Sequence, residues 1–102
     1  MGEPMRIRAQ AGPAGAVVRV LVRHDMESGQ RREGNRVVPA WHITEIAATH
    51  NGKPVFRSEW GPAVSRDPLL QFTIKGAKAG DRIQVTWKDS KGDSRTDEAV
   101  VA

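Results

Sequence analysis

Hydrophobic and polar residues alternate along most of this chain with the period of two that is typical of β-strands. Turn residues such as Gly-Pro, Asn-Gly and Asp-Pro separate the alternating segments. The segments are residues 5–10, 16–24, 41–50, 54–60, 69–75, 82–88 and 94–101. No segment has the period of an amphipathic helix. The pattern therefore predicts an all-β chain of about seven strands.

The strongest alternation lies in residues 16–24, where Val18, Val20 and Val22 share one face. In residues 82–88 the same alternation places Trp87 in the core. Asn51-Gly52 favours a tight hairpin, because both central residues of a type I′ turn need positive φ. Seven short antiparallel strands in a chain of 102 residues predict an immunoglobulin-like β-sandwich.

Composition narrows the function classes. The length fits a single domain over residues 1–102. The chain has no cysteine, which excludes disulfides, thiol catalysis and thiolate metal sites. The formal net charge is +4, but acidic residues are mixed among the scattered basic ones and tyrosine is absent. We therefore favour a solvated basic surface over a nucleic-acid surface, which needs clustered cations and stacking aromatic rings.

One stretch, residues 24–39, breaks the strand pattern and carries charges of both signs. A loop this long without its own secondary structure is usually functional or disordered. Two interpretations stay open here: a solvated crossover between sheets whose charges neutralise one another, and a recognition surface. Met26 suits recognition as an exposed, adaptable apolar side chain, and Trp41 fits either the core or an interface. The candidate partner-binding residues are His24, Met26, Glu27, Ser28, Gly29, Gln30, Arg31, Arg32 and Trp41.

No constellation for catalysis, metal binding or cofactor binding stands out. Ser28 lies near His24 in sequence, but a catalytic triad is defined in space and not by local spacing. His42 and His50 lie on one predicted strand, about 26 Å apart at 3.3 Å per residue, which is too far to share an ion. The residues alone indicate a non-enzymatic β-module without a cofactor.

Residues spread over nearly the whole chain resemble a known family. They are residues 24–32 (HDMESGQRR), Val38-Pro39, Asn51-Gly52, Val55-Phe56, residues 62–65 (PAVS), Asp67-Pro68, Phe72, Gly80, Trp87, Asp89 and Gly92. In this combination they resemble SoxZ, a subunit of the SoxYZ carrier of bacterial sulfur oxidation. Two positions depart from the family pattern. Ala40 stands where a basic residue is frequent, and Asp67-Pro68-Leu69 replaces Asn-Pro-Tyr.

The resemblance implies a sandwich that binds SoxY as a heterodimer and has no catalytic role. SoxY would carry sulfur intermediates on a cysteine in its C-terminal arm. Other Sox enzymes would act on that arm in turn: a cytochrome complex, a hydrolase and a sulfur dehydrogenase. Residues 1–6 lack a signal-peptide layout, so we expect a periplasmic protein exported together with SoxY, without nucleic-acid or membrane binding.

Alternatives from the residues alone are a free-standing periplasmic immunoglobulin-like binding module and a small basic nucleic-acid-binding domain.

Residues 99–102 form an apolar end that would be poorly placed in water. We therefore expect SoxY to complete an open strand edge or sheet face, and the isolated chain to self-associate.

Overall fold

The computed structural model describes residues 3–64 and 66–102, so Met1, Gly2 and Ser65 of the sequence analysis lie outside the described residues. Nine strands and no helix are present within these ranges. The strands are β1 (Arg6–Gly12), β2 (Gly15–Leu21), β3 (Arg32–Glu33), β4 (Arg36–Val37), β5 (Ile43–His50), β6 (Lys53–Glu59), β7 (Leu69–Ile74), β8 (Arg82–Asp89) and β9 (Ser94–Val100). The all-β prediction is confirmed. The two additional strands, β3 and β4, lie inside the stretch that was predicted to lack structure.

Two antiparallel sheets form an immunoglobulin-like sandwich, as predicted. One has the strand order β1-β2-β7 and the other β6-β5-β8-β9, while β3 and β4 pair only with each other. The strand β2 ends at Leu21, earlier than the alternation predicted, because the chain leaves the sheet to begin the long loop.

The core lies between the two main sheets. Val18 and Val20 of β2 pack with Ile46 of β5 and with Val85 and Trp87 of β8, and all five are at most 1% exposed. The core position predicted for Trp87 is confirmed. Without a disulfide, this burial of apolar surface is the main force that holds the sheets together.

Two turns depend on the backbone freedom of their residues. Asn51 and Gly52 have φ values of 49° and 85°, which confirms the predicted tight hairpin between β5 and β6. Gly15 begins β2 with a φ of 130°, and a Cβ atom there would overlap the carbonyl oxygen of Ile74. This position therefore requires glycine.

The C-terminal residues connect the two sheets. The amide of Ala102 donates to the carbonyl of Ala9 at 2.8 Å, and the amide of Ala11 donates to the carbonyl of Ala102 at 2.9 Å. Val101 is 2% exposed and belongs to the core. The chain itself buries part of this apolar end, because it crosses from β9 to β1 at Val101, whereas Val100 remains 59% exposed.

Strand directions place the long loop at one end of the sandwich. β2 runs into the loop, β5 leaves it, and the turn between β8 and β9 lies at the same end. The turns at residues 12–15 and 51–52 lie at the opposite end. The loop and the β8–β9 turn are therefore neighbours at one end of the sandwich.

Candidate functional site

The loop begins with a buried histidine that is hydrogen-bonded to a buried carboxylate. Nε2 of His24 lies 3.1 Å from Oδ2 of Asp89, and the two side chains are 1% and 0% exposed. Nδ1 of His24 accepts a hydrogen bond from the amide of Met26 at 3.1 Å. Because Nδ1 is an acceptor, the ring proton lies on Nε2 and is donated to Asp89.

The Asp89 carboxylate accepts three further hydrogen bonds from its surroundings. Oδ2 also accepts from Nε1 of Trp41 at 2.8 Å, and Oδ1 accepts from the amides of Lys91 and Asp93 at 3.0 and 2.9 Å. Burial alone would raise the pKa of Asp89, but the bonds from Trp41, His24 and the two amides outweigh it and hold the pKa below its ordinary value. The ionised carboxylate therefore ties the loop to the β8–β9 turn.

Aromatic rings pack around this pair. The ring of His24 lies 4.7 Å from that of Trp41 and 5.2 Å from that of Trp87, the latter in an edge-to-face arrangement. Nζ of Lys91 lies 4.2 Å from the centre of the Trp41 ring. Trp41 is half-buried, so it belongs to this cluster and also reaches the surface.

Two of the predicted partner-binding residues have buried side chains. The expected exposure of Met26 is wrong: the residue is 8% exposed, and its Sδ accepts a hydrogen bond from the amide of Ile43 at 3.3 Å. His24 is equally inaccessible, because its ring lies among Asp89, Trp41 and Trp87. Both residues shape the loop from within, and any contribution to binding would be indirect.

The middle of the loop is ordered by backbone contacts. Glu27 and Trp41 form an isolated bridge, in which the amide of Trp41 donates to the carbonyl of Glu27 at 2.8 Å. Beyond this bridge, β3 and β4 form a short hairpin. At its base, the amide of Val38 donates a hydrogen bond to the carbonyl of Arg31 at 2.8 Å. Gly29 packs closely against Ala40 with a φ of 87°. The loop is thus a structured projection.

The charges of the loop are only partly neutralised. Arg31 bonds the carboxylates of Glu27 and Glu33 at 2.9 and 2.8 Å. Arg31 lowers the pKa of Glu27 through this hydrogen bond, and Glu27 and Glu33 raise the pKa of Arg31. The compensation predicted for Glu27 and Arg31 is therefore confirmed. Arg32 is exposed and has no ion pair among the described residues.

Arg66 brings a second segment to the loop. Its guanidinium lies 3.8 Å from Asp25, so Asp25 pairs with a residue outside the loop and not with Arg31 or Arg32. A cleft of about 210 Å³ opens beside this pair. Its lining consists of Glu3, Arg23, His24, Asp25, Trp41, Arg66 and Asp67. Ser28 and Gln30 are exposed on the loop surface.

Asp89, Lys91 and Arg66 are absent from the predicted partner-binding residues, although Asp89 is among the residues that carry the family resemblance. Asp89 could have been found by extending the alternation of β8 by one step, since the inward positions Val85 and Trp87 lead to residue 89. Arg66 could not have been found in this way, because it lies in an irregular segment that only the fold brings to the loop.

The site contains no arrangement typical of a metal centre. Residues 3–64 and 66–102 include no group of three or more His, Cys, Asp or Glu side chains placed to hold an ion. His50 instead pairs with Asp81 at 2.7 Å, at the end of the sandwich opposite the loop. Nor does the described part of the chain contain a helix able to span a membrane.

A comparison with protein families gives one match, which covers residues 5–100 and is described as sulphur oxidation protein SoxZ. The chain belongs to the SoxZ family. The matched range begins just before β1 and ends with β9, so it includes the loop, Asp89 and both main sheets. Membership in the SoxZ family places the protein in sulfur oxidation. No individually curated protein matches the chain.

Proposed function

We propose that this chain is the non-catalytic scaffold subunit of a SoxYZ-type carrier complex. In this complex it binds SoxY, and the C-terminal cysteine of SoxY carries the covalent sulfur intermediates. Two facts support the proposal: the SoxZ family match and the absence of cysteine from the chain. The family match carries the proposal, and the absence of cysteine is consistent with it, because covalent sulfur transfer requires a thiolate that this chain does not have.

The same composition suits a scaffold that lies close to a loaded cysteine arm. A second thiol nearby could attack the bound sulfur by exchange, and a cysteine-free surface prevents this reaction. We place the complex in the periplasm, where this chain arrives with SoxY. The cytochrome complex, hydrolase and sulfur dehydrogenase of the Sox system then bind transiently to the loaded complex.

The test is reconstitution with SoxY followed by intact-mass measurement. We expect a stable one-to-one complex in size-exclusion chromatography. After incubation with thiosulfate and the loading enzyme, mass should be added to SoxY alone. A soluble monomer that ignores SoxY would contradict the proposal and favour a free-standing binding module. A covalent sulfur adduct on this chain would also contradict it.

Within this function, the loop is proposed to orient the arm or a docking enzyme. Arg32 has no ion pair among the described residues, so its guanidinium is available to an anionic thiosulfonate or sulfonate end of the arm. Arg31 already forms ion pairs with Glu27 and Glu33, so its main role is to stabilise the conformation of the loop. Exposed charges of this kind influence orientation and association rate more than affinity.

The loop proposal predicts different effects for two exposed cations. Arg32→Glu should leave folding and SoxY binding intact while lowering turnover of the reconstituted pathway and flattening its salt dependence. Lys53→Glu, which makes the same charge change on β6 at the opposite end, is the control. Equal turnover in Arg32→Glu, Lys53→Glu and the parent protein would show that the loop is only a crossover.

A further inference from the structure

The outer face of the β1-β2-β7 sheet carries positive charge and no carboxylate. The register places three side chains from each strand on this face, in three rows across the sheet. The rows are Arg6, Leu21 and Leu69; Arg8, Arg19 and Gln71; Gln10, Val17 and Thr73. All three charged residues are arginines, and none of them forms an ion pair among the described residues.

The outer face of the other sheet is different. Nε of Arg57 on β6 bonds Glu45 of β5 at 2.6 Å, and Arg82 of β8 pairs with Glu98 of β9 at 3.0 Å. These two arginines are therefore compensated by carboxylates on the neighbouring strands. The lack of carboxylates is a property of the β1-β2-β7 face and not of the surface as a whole.

The arrangement on the β1-β2-β7 face is unfavourable for folding. Arg8 and Arg19 are direct cross-strand partners, and like charges in this position destabilise an antiparallel pair. Within the described residues, Nε of Arg19 donates at 3.0 Å to the neutral side chain of Gln71 and to no carboxylate. Stability alone would favour a carboxylate at position 8 or 19, so the two arginines point to a role outside the fold.

Apolar side chains accompany the arginines. Leu69 is 67% exposed and lies beside the half-buried Leu21 in the first row. A shallow cleft of about 260 Å³ lies over the other rows, with Arg8, Arg19 and Val17 in its lining. Arginine mixed with apolar residues is typical of protein interfaces, whereas lysine is depleted there. The face has no aromatic ring on which a nucleic-acid base could stack.

We propose that the outer face of the β1-β2-β7 sheet is the surface on which an acidic patch of SoxY docks. Carboxylates of SoxY form ion pairs with the guanidinium groups of Arg8 and Arg19, and an apolar side chain of SoxY covers Leu21 and Leu69. This inference rests on the proposed function, since SoxY is the partner named there. Charge identifies the kind of occupant, because carboxylates are the anionic groups that a protein surface supplies to three arginines without a counter-charge.

Arg19→Glu tests the surface without endangering the fold. The substitution turns the repulsive Arg8–Arg19 contact into an attractive pair, so the melting temperature should stay equal or rise. SoxY binding, measured by titration calorimetry, should nevertheless weaken by about tenfold or more, with a smaller dependence on salt. Lys53→Glu makes the same charge change on β6 and should bind SoxY like the parent protein.

The outcomes separate the two proposals. If the parent protein binds SoxY and Arg19→Glu binds it equally well, the docking surface is wrong and the scaffold function stands. If the parent protein does not bind SoxY, both are wrong. A parent protein that binds a 20-base-pair DNA duplex as tightly as SoxY, with Arg19→Glu losing both, would show a general polyanion site and overturn the proposal.

Discussion

The contact between His24 and Asp89 is the residue-scale feature on which the loop depends. A neutral histidine and an ionised carboxylate lie buried together, and each polar atom of the pair has a partner. Satisfied buried networks of this kind specify one conformation, whereas removal of one member leaves the others unpaired. Met26, whose amide donates to the His24 ring, has a positive φ of 54°. The buried pair thus determines where the exposed residues of the loop project.

Trp87 provides a stability prediction at this scale. Trp87→Ala should lower the free energy of unfolding by about 3–5 kcal/mol, because it empties the centre of a core that no disulfide supports. Trp87→Phe should cost less than about 2 kcal/mol. The buried Nε1 of Trp87 has no hydrogen-bond partner among the described residues, so phenylalanine removes an unsatisfied donor.

Urea denaturation of the two Trp87 variants and the parent protein measures both effects. Similar losses of unfolding free energy in Trp87→Ala and Trp87→Phe would contradict the prediction. They would show that Nε1 is hydrogen-bonded in solution and that side-chain volume does not decide the stability.

Asp81 predicts how stability depends on pH. A side-chain hydrogen bond from His50, with further bonds from the Lys78 amide and Asn51, lowers the pKa of Asp81 to about 2. The pKa in the unfolded chain is higher, near the ordinary 3.8. The carboxylate therefore stabilises the fold fully above about pH 5, and this contribution is lost as the pH falls toward 2.

Thermal denaturation between about pH 2 and pH 6 tests the sign of this effect. Asp81→Asn should melt below the parent protein at pH 6, and the difference should shrink as the pH is lowered. Asp25→Asn, at an exposed carboxylate whose ion pair is long, is the control. A difference that grows toward low pH would contradict the assignment.

At the scale of elements, the C-terminal crossing closes one side of the sandwich. Ala102 adds backbone hydrogen bonds to β1, and Val101 fills the space between β1 and β9. The remaining edge strands are β6 and β7, whose half-buried Phe56 and Phe72 rings stack at 4.7 Å. The two sides of the sandwich are thus closed in different ways, one by the backbone and one by side chains.

Val101→Ala should reduce the free energy of unfolding by about 1–3 kcal/mol, since it removes apolar volume from a site that is 2% exposed. Val100→Ala is the matched control. Val100 is 59% exposed, so its substitution should change stability by less than about 0.5 kcal/mol. Chemical denaturation of the two variants gives the comparison, and equal losses would mean that the C-terminal crossing is not formed in solution.

At the scale of the whole molecule, charge is distributed unevenly over an elongated sandwich of 53 × 21 × 20 Å. The β1-β2-β7 face contributes three positive charges and no negative ones, while the loop end has paired and unpaired charges of both signs. Arg6, Leu21 and Leu69 form the row nearest the loop, so the proposed docking face adjoins the loop end. A partner seated on the face would therefore lie close to the loop.

The sequence determined the strands, because alternation reports directly which side chains a half-buried strand turns inward. Seven of the nine strands, the Asn51-Gly52 hairpin and the core position of Trp87 follow from it. The alternation of residues 16–24 also makes His24 an inward residue. Extending the alternation of residues 82–88 by one step makes Asp89 inward as well.

Only the tertiary structure decided how separated residues combine. Arg6, Arg8 and Arg19 are scattered in sequence, and the register of β1 with β2 brings them to one face. The buried position of Met26 could not be predicted, because it depends on a contact with Ile43, 17 residues away in the chain. Alternation records the inside and outside of a strand, whereas cross-strand register and loop closure depend on long-range contacts that no local pattern encodes.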